Sequence, residues 1–353
     1  MDPQRLTIRR RAAVCVALVA LAAIAAVIPL PALWVERWYS QGFYVSLQSV
    51  LTPLSNVVPI FLVDIGGAVL LATGIAAMVA HSRRNGWKAT LVATSLATIA
   101  AAAALYLVFL FTWGLNYRRM PLEEKLAYDS ARVSKEAALR LGRITIQHIN
   151  QGHGPAHNGV GGPSLEQAFA DALRAVGQRG VTAIGRPKRS LLSLYFRYAA
   201  IDGMTDPIFL DILINPEVLP MERPEVLTHE WAHLAGYADE AEANFIAWLA
   251  CVRGDAMAQY SGWLSLYRHV AAALPIEDRR ALAALLADGP RADLRAMAAR
   301  YERGSRIVQS AQRGVYDVYL RANRTEEGIE RYNAVTKLVL GTEFDVAWNP
   351  RRR

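Results

Sequence analysis

Two histidines and a glutamate in the run Thr228-His229-Glu230-Trp231-Ala232-His233 have the types and spacing to do chemistry. On a helix, residues four apart lie on one face, one turn from each other. Two neutral imidazoles so placed can hold one zinc ion, and Glu230 between them can serve as a general base toward a metal-activated water. A zinc hydrolase also needs a third protein ligand and an open position. Downstream stand three acids: Asp239, Glu240 and Glu242. Asp239 suits the N-cap of a second helix, and Glu242, three residues on, completes an Asp-x-x-Glu capping box. Glu240 has no such structural duty and ranks first as third ligand, with Glu242 and Asp239 as alternatives. Asn244 is one turn on from Glu240, where it can orient the ligand from behind.

Two helices must position these groups. Pro224 and Glu225 open the first, Val226, Leu227, Trp231 and Leu234 give it apolar surface, and Gly236 stops it. Phe245, Trp248, Leu249 and Val252 recur at helical spacing in the second, which Gly254 ends. The arrangement is helix, tight turn, helix, and it resembles the gluzincin type of zinc peptidase. There the second helix carries Glu-x-x-x-Asp or Glu-x-x-x-Asn, as Glu240 and Asn244 do here. A rival pattern, His229-Glu-x-x-His233-x-x-Gly236-x-x-Asp239, resembles the metzincins with Asp in the last position. Metzincins also require a Met-turn, for which Met257 is the weak candidate. The chemistry needs an oxyanion stabiliser too; Tyr332, Tyr198, Tyr195 and His269 are the candidates, and packing is the plainer role for each Tyr.

The N-terminal third is apolar. Residues 12–33, 57–80 and 89–115 are each long enough to cross a bilayer as a helix, and only Asp64 interrupts them with charge. Asp64 calls for a partner in the bundle or a water-exposed position, and Gly66, Gly67 and Gly74 allow close helix packing. Trp34, Trp38, Tyr39, Phe43 and Tyr44 fit an interfacial belt. Arg5 and Arg9 to Arg11 precede the first span, and Arg83, Arg84 and Lys88 lie between the second and third. That bias places the N-terminus in the cytoplasm and the chain after residue 115 outside, with Arg118 and Arg119 arguing weakly the other way. The net charge of +8 is spread over helical segments and the ends, without a basic aromatic stripe, so nucleic acid is not an expected partner. Cys15 and Cys251 fall in separate regions, which excludes a disulfide framework or a Cys-based metal site.

Over nearly its whole length the chain resembles an uncharacterised bacterial membrane family, domain of unknown function 3810. The resemblance rests on Trp113-Gly-Leu-Asn-Tyr-Arg-Arg119, on the two metal-helix motifs, on Tyr319-Leu-Arg-Ala-Asn323 and on Gly328-Ile329-x-x-Tyr332. It implies architecture and no substrate.

The expected fold is mainly α, with three transmembrane helices in residues 1–121 followed by a mostly helical, zincin-like α+β domain with a small sheet in residues 122–353. Residues 130–151 read as a helix. Residues 151–163 read as a Gly-rich loop, with His153 and His157 as exposed polar residues. Ser164 caps a further helix, with Gln167 completing a capping-box-like pair. Residues 206–219 are the best strand, from the alternation of Ile208, Leu210, Ile212 and Ile214. Zincin resemblance implies an edge strand there, to which a peptide could add. The expected protein is a zinc metallopeptidase of the bacterial inner membrane, acting outside on a peptide or protein substrate. The alternative is a non-catalytic signalling or assembly module with a structural or vestigial zinc site.

Overall fold

The computed structural model describes residues 3–322 and 334–353. Tyr332, Asn323 and Gly328 lie outside them. The protein is mainly helical, with one two-stranded sheet among the described residues.

The N-terminal part comprises α1 (Pro3–Val27), a short α2 (Ala32–Trp34), a π-helical stretch (Val35–Phe43), α3 (Tyr44–Asn56) and the long α4 (Leu62–Thr112). Among the described residues two helices, rather than three, are long and apolar enough to cross a membrane: α1 and α4. The expected spans 57–80 and 89–115 both fall largely in α4, which is broken at Gly86 (φ 77°, ψ 167°). Unbroken, 51 residues of helix would extend about 76 Å. Yet Leu62 N–H donates to the Asp211 carboxylate (3.0 Å), and Thr112 Oγ1 donates to the Pro207 carbonyl (2.8 Å). Four residues of chain span at most about 14 Å, so α4 doubles back. Gly86 is the turn, in backbone geometry that glycine adopts without a Cβ clash.

Asp64 sits in the first turn of α4, accepting from Ser190 Oγ (3.1 Å) and Leu191 N–H (2.8 Å), so its partner is a loop outside the helix bundle. Gly66 packs against Phe209, whereas Gly67 and Gly74 face open space. Of the expected aromatic belt, Trp34, Trp38 and Phe43 are exposed, but Tyr39 and Tyr44 turn inward and are buried.

The remainder comprises α5 (Leu122–Lys125), α6 (Lys135–His157), α7 (Leu165–Ala175), α8 (Ser193–Ala199), β1 (Gly203–Thr205), β2 (Ile212–Ile214), α9 (Arg223–Leu234) and α10 (Glu240–Cys251). It closes with α11 (Ala256–Ala272), α12 (Ile276–Ala283), α13 (Asp288–Glu302), α14 (Arg306–Ala322) and α15 (Ala334–Gly341). Ser164 caps α7 as expected, accepting from Gln167 N–H (3.2 Å), although the Gln167 side chain turns to Asp171. Helix α6 starts later than expected, at its Ser134 cap, and runs on through His157. Residues 151–157 of the expected Gly-rich loop stay helical because Ile149 and Ala156 keep the apolar face buried, and burial overrides propensity, whereas residues 158–163 are non-helical as expected.

The expected strand is shorter and has a partner the sequence pattern missed. Asp206 accepts from Phe209 N–H through its side chain (2.6 Å) and from Leu210 N–H through its carbonyl (3.1 Å), which turns the chain where alternation predicted a strand. Only Ile212–Ile214 remain extended, paired antiparallel with Gly203–Thr205. One buried cluster joins Val35, Tyr44, Trp113, Leu122, Trp231 and Trp248, so the core crosses residue 121.

Candidate metal centre

Helix α9 ends where its sequence requires. Gly236 N–H donates to the His233 carbonyl (2.9 Å) and Tyr237 N–H to the Ala232 carbonyl (3.0 Å), with Gly236 at φ 83°. This is the paired-bond glycine stop of an α-helix. The turn also returns the Tyr237 carbonyl to His233, whose Nδ1 lies 2.8 Å from it. A proton held there leaves Nε2 as the free lone pair, the arrangement a metal-ligating imidazole uses.

The last carbonyls of α9 are then held from outside. Trp113 Nε1 donates to His233 O (3.0 Å), Tyr44 OH to Leu234 O (2.9 Å), and Arg119 to Gly236 O (2.8 Å). These residues come from the N-terminal part, and they satisfy acceptors that a helix end leaves orphaned. Arg119 also forks onto Glu36 (2.9 and 3.0 Å) and stacks over Tyr237.

Helix α10 begins immediately after the turn. Asp239 caps it, accepting from Ala241 and Glu242 N–H (3.0 and 3.2 Å). The expected capping box is half made, because Glu242 accepts instead from Leu122 N–H (2.6 Å) beside Arg119 and Lys125. Glu242 and Asp239 are thus occupied with other partners, and Glu240 turns to the histidines. His229 Nε2 and His233 Nε2 stand 3.1 Å apart; the Glu240 oxygens lie 3.4 Å from the first and 3.5 Å from the second. An ion bound tetrahedrally at 2.0–2.1 Å sets its ligand atoms about 3.3–3.4 Å apart, and each imidazole stands near that distance from the other and from one oxygen of the Glu240 carboxylate, Oε2 for His229 and Oε1 for His233. Asn244 Nδ2 donates to the Glu240 backbone carbonyl (2.7 Å), so it braces the first turn of α10 rather than the carboxylate expected of it.

Glu230 stands beside this triangle under β1. Thr205 Oγ1 donates to its carboxylate (2.8 Å) and to its carbonyl (3.0 Å). A Cβ on Gly203 would fall 2.5 Å from Glu230 Oε1, so glycine is what lets the strand pass over the carboxylate. Spacing could not reveal Thr205, Gly203 or Trp113 as part of the site. Each is distant in sequence, and its type has ordinary explanations elsewhere.

Burial lifts the Glu230 carboxyl to about 7, against the opposing pull of His229 and the Thr205 hydrogen bond. Burial pulls the His229 imidazole down, but Glu240, aided by Glu230 and Glu225, raises it to about 9. At His233 burial prevails and lowers it to about 4. The field that holds a proton at His229 would equally favour a cation, and two imidazoles with one carboxylate are donors suited to zinc.

Of the oxyanion candidates, Tyr195 and Tyr198 lie on α8 and are about half exposed, and His269 is on α11. Met257 lies within helix α11, so there is no Met-turn at that position.

A mainly helical protein with an HExxH helix, a glycine turn and a glutamate helix converging on one point is the class this fold and site define. The chain belongs to a family of proteins of unknown function, DUF3810, whose model matches residues 39–340. No curated protein and no solved structure matches it.

Proposed function

We propose that the protein is a membrane-anchored zinc metallopeptidase of the gluzincin type, with His229, His233 and Glu240 as ligands. The observation that carries this reading is the ligand triangle with Glu230 held beside it, outside the triangle, by Thr205. Three ligands leave a coordination position open, as hydrolysis requires and a closed structural site does not. When bound, the metal supplies Lewis acidity toward the scissile carbonyl and the attacking water. Glu230 would take the proton from the attacking water and deliver it to the leaving amine.

Strand β1 supplies the docking edge. Asp206 N–H pairs with Asp211 O and Asn215 N–H with Asp202 O, so the bonded pairs fall on even-numbered β1 residues. Gly203 and Thr205 therefore aim their N–H and C=O groups away from β2. An extended peptide can add there by main-chain hydrogen bonds, beside the Glu230 carboxylate.

The bilayer reading rests on α1 and the two arms of α4, whose apolar side chains, among them Val16, Ile24 and Leu71, are exposed along the helices. Such surface calls for lipid. Arg118 donates to the Ala25 and Ala26 carbonyls, tying the end of α1 to the site-bearing part (2.8 and 3.1 Å). Both ends of α4 return there as well, so three crossings are the reading. Arg83, Arg84 and Lys88 flank Gly86 at the far end, and Arg10 and Arg11 stand at the other end of α1. Basic residues at that far end support a cytoplasmic position for it, with the candidate centre on the outer side of the bacterial inner membrane.

The test is cleavage of a proteome-derived peptide library by detergent-solubilised protein, read by mass spectrometry. Wild type should produce cuts that Glu230→Gln reduces at least about 100-fold, with bound zinc retained. Equal cleavage by both would refute the mechanism.

A further inference from the structure

A second cluster of metal-ligating side chains lies apart from the HExxH site. Because α6 runs on through His157, His153 and His157 stand four apart on one helical face, with ring centroids 4.3 Å apart. Helix α13 brings Asp293 to them: its Oδ2 is 2.9 Å from His157 Nε2 and 3.6 Å from His153 Nε2. These separations bracket the roughly 3.3 Å between ligands of a tetrahedral zinc-type ion.

The surroundings support the donors. Tyr260 of α11, itself buried, donates its hydroxyl to the same Asp293 oxygen (2.7 Å). Its ring meets both imidazoles edge-on, at 5.7 and 5.9 Å. Carboxylates that ligate metals are in turn held by hydrogen bonds, as Tyr260 holds Asp293. Gly289, at the start of α13, lets the helix approach; a Cβ there would fall 2.5 Å from the His153 ring. Asp293 lies at the base of the cluster (side chain 13% exposed), while His153 and His157 are open on the solvent side (30% and 42%), where a water can complete the coordination.

We propose that His153, His157 and Asp293 form a second divalent-metal site, for zinc or a similar borderline ion, which pins the C-terminal end of α6 to α13. The ordinary alternative is a His157–Asp293 ion pair. It uses one imidazole at hydrogen-bond distance, whereas a cation engages both rings and the carboxylate together. Two imidazoles also favour zinc, cobalt, nickel or copper over magnesium or calcium. The proposal shares no ligand with the HExxH site and stands without that site's function.

The test is zinc bound per chain, after stripping and reconstitution of full-length protein in detergent, together with the zinc-dependent rise in melting temperature. Wild type should bind two zinc ions. His157→Ala and His157→Gln should each remove one, and most of the thermal gain attributable to it, with circular dichroism unchanged, because His157 is exposed and Gln keeps a hydrogen-bond donor. Were the HExxH site empty instead, wild type would bind one ion and His157→Ala none, so failure of the two sites is told apart. Zinc content and thermal gain unchanged in both His157 variants would overturn the proposal and leave an ion pair. Magnesium matching zinc in the thermal gain would overturn it as well.

Discussion

At the residue scale, the division of labour among four acids decides the site. Asp239 caps, Glu242 reaches Leu122, Glu240 faces the imidazoles and Glu230 is held by Thr205. The strand crossing above Glu230 leaves no room for a side chain at Gly203. Gly203→Ala should therefore displace the Glu230 carboxylate and lower peptide turnover by about 10-fold or more, since misplacement of a catalytic group is costly. Bound zinc should stay at the wild-type level, because the three atoms nearest an added Cβ all belong to Glu230 and not to a ligand. Steady-state kinetics beside metal analysis checks this, and loss of metal would show that the strand supports the ligands and not the base.

At the element scale, α9 depends on what closes its C-terminal end. Trp113→Phe keeps the ring and removes the donor to the His233 carbonyl, which is also held by Gly236 N–H. The expected cost is about 1 kcal/mol of stability, together with weaker zinc binding, read by denaturant unfolding and zinc titration. The sequence carried this level unevenly. The glycine stop, the Asp239 and Ser164 caps and the two helices that carry the candidate ligands were legible, because each rests on local chemistry within a few residues. The β1 strand was not, since Gly-Met-Thr has no alternation and its pairing is set by the Asp206 turn. The end of α6 was misread for a related reason: Gly152, Gly154 and Pro155 signal a loop locally, and only burial of Ile149 and Ala156 keeps the helix. The capping argument that put Glu240 first held for Asp239 and failed in detail for Glu242, whose true partner is 120 residues away.

At the scale of the whole molecule, the apolar helices and the candidate centre are one piece. Arg119 links Glu36, near the end of the first apolar segment, to the Gly236 turn and the Tyr237 ring. Burial alone would raise the Glu36 carboxyl, but Arg119 and Lys125 hold it at about 2. A carboxyl depressed in the folded state adds stability above its ordinary pKa of 4.5, and that stability is lost as pH falls toward 2. Wild type should therefore lose on the order of 3 kcal/mol across that window. Glu36→Gln should be less stable at neutral pH by about 3–5 kcal/mol, since Arg119 is left unpaired, and should lose less on acidification. Melting temperatures between pH 2 and 7 check both. Parallel acid profiles for the two proteins would show that Glu36 does not carry the link. The close contact of Trp113 and Arg119 with α9 also gives the Trp113–Arg119 segment, visible in the sequence only as a family resemblance, a physical reason: it completes the end of the HExxH helix.

The measurement that bears most directly on the account is zinc content of reconstituted protein in a His153→Ala/His157→Ala background, so that only the HExxH site is counted. One zinc per chain is expected, retained in Glu242→Gln and lost in both His233→Ala and Glu240→Ala. Zinc absent from the background protein, or retained in Glu240→Ala, would contradict a centre built from His229, His233 and Glu240.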